Sequence, residues 1–279
     1  LNEADFIAAL RTLPLHPGAE GLRDDTAVLE IGDARLILTH DAIAEGVHYR
    51  PGTDPFDIAW KLVAVNLSDL AAKGAEPIGV LIGAVLVERA ERFVEGLRAI
   101  LTEYGVPLLG GDTISVSPAT FGCTAIGRAG ATVPSRTGGQ PGDALWVTGT
   151  IGAAMLGFDG GDAAPYLRPR PRLAEGRALA GQVHAMMDVS DGLLLDASRL
   201  AEASGCTAEI ALSDVPVAPG ADPLKAVSWG DDYELLFAAP ADFVPPVPAT
   251  RIGRLTAAGP TALLLDGQVP GIPLGYQHR

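Results

Sequence analysis

Six aspartates of this 279-residue chain stand out, Asp69 within a helical run and Asp25, Asp41, Asp112, Asp188 and Asp191 at strand ends or helix starts. Carboxylates so placed suit divalent cations and, through them, phosphate. The most informative setting is Val65-Asn66-Leu67-Ser68-Asp69-Leu70-Ala71-Ala72-Lys73-Gly74-Ala75. It puts one carboxylate inside an apolar, alanine-rich helical run, where an uncompensated charge is costly and calls for a cation. Lys73, one turn on, is one source and a bound metal is the other. An isolated pair with Lys73 is worth roughly a few tenths of a kcal/mol, weak reason to bury a charge.

The other acidic positions read two ways each. Asp24-Asp25 and His40-Asp41 adjoin apolar strands, as turn residues or as two ends that share one magnesium ion. Gly110-Gly111-Asp112-Thr113 follows a short apolar strand, as a plain turn or as a close backbone approach to a ligand. In Asp188-Val189-Ser190-Asp191-Gly192, Ser190 and Asp191 are expected to start a helix. They serve there as caps, as a phosphate site on free N–H groups, or as metal ligands. Arg136 lies among glycines, as a solvated loop residue or a bidentate phosphate contact. His48, just past the first hairpin, reads by itself as a satisfied surface histidine.

Positioning these residues requires alternating helices and strands, so the fold class is mixed α/β. A helix near Glu3 to Leu13 precedes a hairpin of Thr26–Ile31 and Arg35–Thr39 across a Gly32-Asp33 turn, with Asp25 and Asp41 at its outer ends. Phe56 to Lys73 has helical spacing and closes at Gly74, with Asn66 and Asp69 on one face. Glu88 to Tyr104 is the next helix, followed by the strand Val106–Leu109. The Gly/Pro-rich stretch Gly130–Gly142 marks a boundary, giving domains 1–133 and 134–279. Beyond it come a strand Ala144–Thr148, a Gly-rich loop over Gly157–Pro165 and a helix near Leu173–Ala180. Strand Ala185–Met187 delivers Asp188 to a helix ending at Ser204-Gly205. Strands Leu235–Ala239, Thr250–Ile252 and Thr261–Leu265 complete the chain.

Composition narrows the function classes. Apolar residues make up 48% of the chain, and 34 acidic against 20 basic residues give a net charge of −14. That balance argues against nucleic-acid binding and means that a polyphosphate partner needs divalent cations. Cys123 and Cys206 are too few for a disulfide or zinc framework and read as small core residues. The longest apolar run, Gly79–Val87, is too short to span a bilayer, and Glu3 and Asp5 stand where a signal peptide carries positive charge. A cytoplasmic protein with no membrane partner is expected. No GxxxxGK[ST] loop and no kinase glycine-rich loop is present, so a nucleotide would be held through aspartate-bound metals.

Taken in order, the motifs resemble one family. They are Arg23-Asp24-Asp25-Thr26-Ala27-Val28-Leu29, Leu38-Thr39-His40-Asp41 with Glu45-Gly46-Val47-His48-Tyr49, Ala64 to Ala75, Leu109 to Thr113, Asp188 to Gly192 and Gly230-Asp231-Asp232-Tyr233-Glu234-Leu235. From near residue 5 to Tyr276 the chain resembles the thiamine-monophosphate kinases of the aminoimidazole ribonucleotide synthetase-like superfamily. The resemblance implies two α/β domains, a homodimer paired through N-terminal sheets, and a site in the cleft between domains. It also implies transfer of the ATP γ-phosphoryl group to thiamine monophosphate, assisted by several Mg2+ ions. By position, Asp25, Thr39, His40, Asp41, Asp69, Asp112, Asp188 and Asp191 match metal ligands. Tyr104, Gly111, Asp112, Arg136 and Ser190 match ATP contacts, and His48, Asp231 and Tyr276 match contacts to thiamine monophosphate. Two residues depart from the family pattern: His40 replaces a small hydroxyl residue, and Asp231 replaces glutamate. A selenophosphate synthetase would need a reactive cysteine near the N-terminus, and a hydrogenase-maturation relative a C-terminal cysteine where Gly275-Tyr276-Gln277-His278-Arg279 stands.

Overall fold

A computed structural model of the chain describes residues 3–277, and His278 and Arg279 of the C-terminal stretch lie outside the described residues. Helix α1 (Glu3–Leu10) stops short of the expected Leu13, because Pro14 disfavours helical backbone at the residue before it. Strands β1 (Ala27–Ile31) and β2 (Ala34–Ala44) form the predicted antiparallel hairpin, with Ile31 opposite Ala34. Because β2 runs on to Ala44, Asp41 lies inside the strand and only Asp25 is at an end.

Helix α2 (Pro55–Ala72) starts on an Asp54 cap that accepts the Phe56 N–H at 3.0 Å, and it ends before Gly74 at φ +60°. Strand β3 (Glu76–Val85), helix α3 (Ala90–Tyr104), strand β4 (Leu108–Ile114) and strand β5 (Thr120–Ala129) follow. The first sheet has the order β1-β2-β5-β3-β4, with β3 and β4 parallel. Strand β5, not among the predicted strands, is its middle member and buries Phe121, Cys123 and Ala125 on the alternate positions. Gly110-Gly111-Asp112, expected as a turn after a strand, lies within β4, whose residues are all exposed.

The second half comprises β6 (Ala144–Thr148), α4 (Ala153–Phe158), α5 (Ala164–Leu167), α6 (Leu173–Leu179), β7 (Ala185–Asp188), α7 (Leu193–Ala203), β8 (Cys206–Ile210), α8 (Pro223–Ala226), β9 (Leu235–Ala239), β10 (Ala249–Ala257) and β11 (Leu263–Leu265). Its sheet has the order β11-β8-β10-β6-β9-β7. The stretch expected as a Gly-rich loop is a loop only over 159–163, with Gly157 inside α4 at one end and Pro165 inside α5 at the other. Strand β10 is longer than expected, β11 is shorter, and β8 was not anticipated.

Helix α2 connects the halves. It packs on β2 and β5 of the first sheet and on α6 and β7 of the second half. Every residue of α2 except Phe56 is buried, so the helix lacks the polar stripe of a surface helix. The approach to α6 is close: a Cβ on Gly176 would stand 1.9 Å from the Ala71 carbonyl oxygen. Among the described residues no helix is long and apolar enough to cross a membrane, and both cysteines are buried.

Candidate active site

One side of α2 gathers the acidic residues. Asn66 accepts the Asp41 backbone N–H at 2.9 Å and donates to the Leu62 carbonyl, which fixes β2 against the helix. One turn on, the Asp69 carboxylate accepts from the Thr39 hydroxyl at 2.5 Å. Ser68, the next residue round the helix, donates to Asp188 at 2.5 Å and so ties the end of β7 to the same place. Carboxyl oxygens of Asp25, Asp69 and Asp188 thereby lie within 4.8 Å of one another.

These carboxyls are held close with little relief from protein cations. Burial, then Asp41 and Asp188, raises the Asp69 carboxyl well above its ordinary range. Burial and then Asp25 push Asp188 up to about 8 and Asp41 up to about 6. Asp25 is the exception, because Arg136 grips both its oxygens, with Nε 3.1 Å from Oδ2. Arg136 is therefore neither a solvated loop residue nor, in this structure, free of a carboxylate partner. Lys73 does not meet Asp69; fully buried, it donates to Asp24 at 2.5 Å. The pairing of Asp69 with Lys73 is thus replaced by one that holds the Asp24-Asp25 turn.

The Ser190-Asp191 turn differs from expectation in a way that changes its chemistry. Helix α7 begins at Leu193, and the N–H groups of Ser190 and Asp191 both go to Asp196 Oδ2, at 3.1 and 3.0 Å. Further on, the Leu194 amide goes to the Val227 carbonyl and the Leu195 amide to the Leu274 carbonyl. The turn therefore offers a phosphate no free amide at Ser190 or Asp191. Its carboxylate remains: Asp191, on Arg199 at 2.5 Å, lines the same cavity as Ser190.

That cavity, about 620 Å³, joins the acidic cluster to an aromatic end. Asp25, Asp41, Asp69, Arg136, Asp188, Ser190 and Asp191 line it together with His48, Phe158, Tyr166, Trp229 and Asp231, and Tyr233 and Tyr276 stand between the two groups, Tyr276 on Asp191 and Tyr233 on Val189 and Asp231. Phe158 stacks edgewise on Tyr166 at 5.3 Å and tilts on Trp229 at 5.1 Å between ring centres. Asp231 sits at φ +61°, with its N–H on the Ser190 carbonyl, and the neighbouring Gly230 has no room for a Cβ, which would stand 2.5 Å from that same oxygen. Tyr276 reaches the cavity because its N–H bonds the Asp191 carbonyl at 2.8 Å.

The chain matches two family descriptions, "AIR synthase related protein, N-terminal domain" over residues 23–129 and "AIR synthase related protein, C-terminal domain" over residues 140–262. The thiamine-monophosphate kinase of Escherichia coli (strain K12) is 36% identical over 277 residues, covering 85% of this chain and 84% of that protein. The enzyme of the same name from Methanospirillum hungatei JF-1 is 36% identical over the full length of both chains. This chain belongs to the thiamine-monophosphate kinase family. A solved structure of AaThiL complexed with AMPPCP and TMP superposes with a TM-score of 0.89 at 28% identity, covering 100% of this chain and 97% of that one.

Against the family pattern, some sequence-chosen residues stay outside the cavity. His40 turns its ring to Thr124, 2.8 Å away on the neighbouring strand, so its side chain does not join the acidic cluster. Asp112 and Gly111 lie on the exposed β4 edge. Tyr104, half-buried at the end of α3, has its hydroxyl pushed up to about 12 by burial and lies near Arg170 and Arg172. Sequence reasoning missed Lys61, Phe158, Tyr166, Asp196, Arg199 and Trp229. Trp229 adjoins the Gly230-Asp231 motif and was findable there; Phe158 and Tyr166 lay in a stretch read as loop.

Proposed function

We propose that the chain transfers the γ-phosphoryl group of ATP to thiamine monophosphate, giving ADP and thiamine diphosphate. The observation that carries this is the single cavity with carboxylates at one end and edge-to-face and tilted aromatic rings at the other. Such an arrangement suits an acceptor with a phosphate on one side and a flat heterocycle on the other. Asp25, Asp41, Asp69, Asp188 and Asp191 are the residues that would hold magnesium, and Thr39 orients Asp69. All-oxygen donors at this spacing fit a hard divalent cation, and buried like charges favour one. Bound magnesium supplies charge neutralisation and alignment of phosphate oxygens.

The remaining steps belong to the side chains. Arg136, already at the rim of the acidic cluster, contacts the ATP phosphates, and Ser190 lies beside it. His48, Asp231 and Tyr276 meet the acceptor, with Tyr276 covering the ring. No general base is required, because the attacking phosphate oxygen is ionised near neutral pH. Asp112 and Gly111 act at a seam between two copies, since the exposed β4 edge with Leu108, Leu109 and Ile114 suits sheet pairing in a homodimer. A boundary near residue 133 and a cytoplasmic location, where ATP is at hand, complete the proposal. Incubating the protein with ATP, magnesium and thiamine monophosphate is expected to yield thiamine diphosphate with equimolar ADP. ATP binding without that product, under any divalent metal, overturns the assignment.

A further inference from the structure

Behind the wall of the cavity's aromatic end lies a buried cation that the roles above leave unused. Lys61 is 1% exposed, and its Nζ donates to Asp231 Oδ2 at 3.0 Å and to the His48 carbonyl at 3.0 Å. The same ammonium stands 3.9 Å over the Tyr166 ring, and the Tyr166 hydroxyl donates to the same His48 carbonyl at 3.0 Å. Three segments from both halves of the chain thus converge on one side chain of α2. The second Asp231 oxygen accepts from Tyr233 at 3.0 Å, so each oxygen has one protein donor and keeps a lone pair for a ligand in the cavity it lines. A carboxylate tethered at both oxygens has little rotational freedom, and that preorganises it for donor groups on a heterocycle.

We propose that Lys61 is a positioning residue for acceptor specificity: it clamps Asp231, the His48 carbonyl and Tyr166 into the wall against which the heterocycle of the acceptor docks. Lys61 itself does not touch the reacting phosphates. The inference rests on the kinase reading. Removing the ammonium leaves the Asp231 carboxylate half-tethered and the His48 carbonyl with Tyr166 as its remaining side-chain donor, so acceptor binding weakens while ATP binding at the acidic end does not.

The test compares wild type, Lys61→Met, Asp231→Asn and the double variant by calorimetric titration with thiamine monophosphate and, separately, with ATP and magnesium. Lys61→Met is expected to raise the acceptor Kd by about tenfold or more, as expected when a buried partner is lost, with the ATP Kd changed less than about twofold. The double variant is expected to lose less acceptor affinity than the sum of the two single losses, because Lys61 and Asp231 share one contact. It also lacks the unpaired charge, which keeps the comparison available if Lys61→Met fails to fold. An unchanged acceptor Kd in folded Lys61→Met, equal losses for ATP and acceptor, or additive losses in the double variant overturn the inference. Failure of the wild type to bind thiamine monophosphate overturns the kinase reading and this inference with it.

Discussion

Replacing Asp69 by asparagine keeps the side chain's size and its acceptor for the Thr39 hydroxyl, but removes one of three converging carboxylates. Asp69→Asn is expected to abolish phosphoryl transfer and to leave the fold intact, read as product formation against an unchanged circular dichroism spectrum. Full activity in the variant would show that Asp69 holds no metal. The same carboxyls predict a pH effect whose sign follows from linkage. Asp41 and Asp188 have folded values of about 6 and about 8, above the ordinary 3.8, so the folded state holds their protons more tightly than the unfolded chain. Stability is therefore lost as pH rises through that window. The melting temperature of the metal-free protein is expected to fall from roughly pH 4 to pH 8 and to level off above, and added magnesium is expected to flatten the slope. A midpoint that rises with pH over the same range would contradict the electrostatics.

At the scale of elements, the contact between α2 and α6 is set by a missing side chain. Gly176→Ala places a Cβ against the Ala71 carbonyl, and the two helices must separate. Overpacking of this kind costs about 1–3 kcal/mol. Chemical denaturation is expected to show a loss in that range, together with reduced activity, because the opposite flank of α2 bears Asp69. The elements also show what a sequence can reveal. The hairpin, α2, α3, β6, α6, β7 and α7 announced themselves through caps, glycine stops and periodicity. Strand β5 was hidden because its buried positions are Phe121, Cys123, Ala125 and Gly127, three of them small, so alternation barely registers. In the site, Asp25, Asp41, Asp69, Asp188, Asp191, Arg136, Ser190, His48, Asp231 and Tyr276 do meet in one cavity. What stayed illegible were pairings between distant segments: Lys73 with Asp24, Arg136 with Asp25, and Asp196 with the amides it takes from the Ser190 turn.

For the whole molecule, the exposed edge of the first sheet carries the quaternary prediction. Leu108, Leu109 and Ile114 are each about half exposed on β4, with Val116 beyond it. Light scattering is expected to give twice the 28.7 kDa chain mass, and the double variant Leu109→Asp, Ile114→Asp is expected to give the single mass. A wild type that is monomeric at micromolar concentration would remove the homodimer from the proposal. Helix α2, enclosed on all sides, has a separate consequence for selectivity. It carries Asp69 at one end of the cavity and Lys61 toward the other, eight residues or about 12 Å apart along the axis. Buried between the two halves, the helix sets these two side chains at a fixed spacing, so it works as a ruler. An acceptor is gauged by the span from ring to phosphate, and one whose span is shorter or longer anchors at one end only.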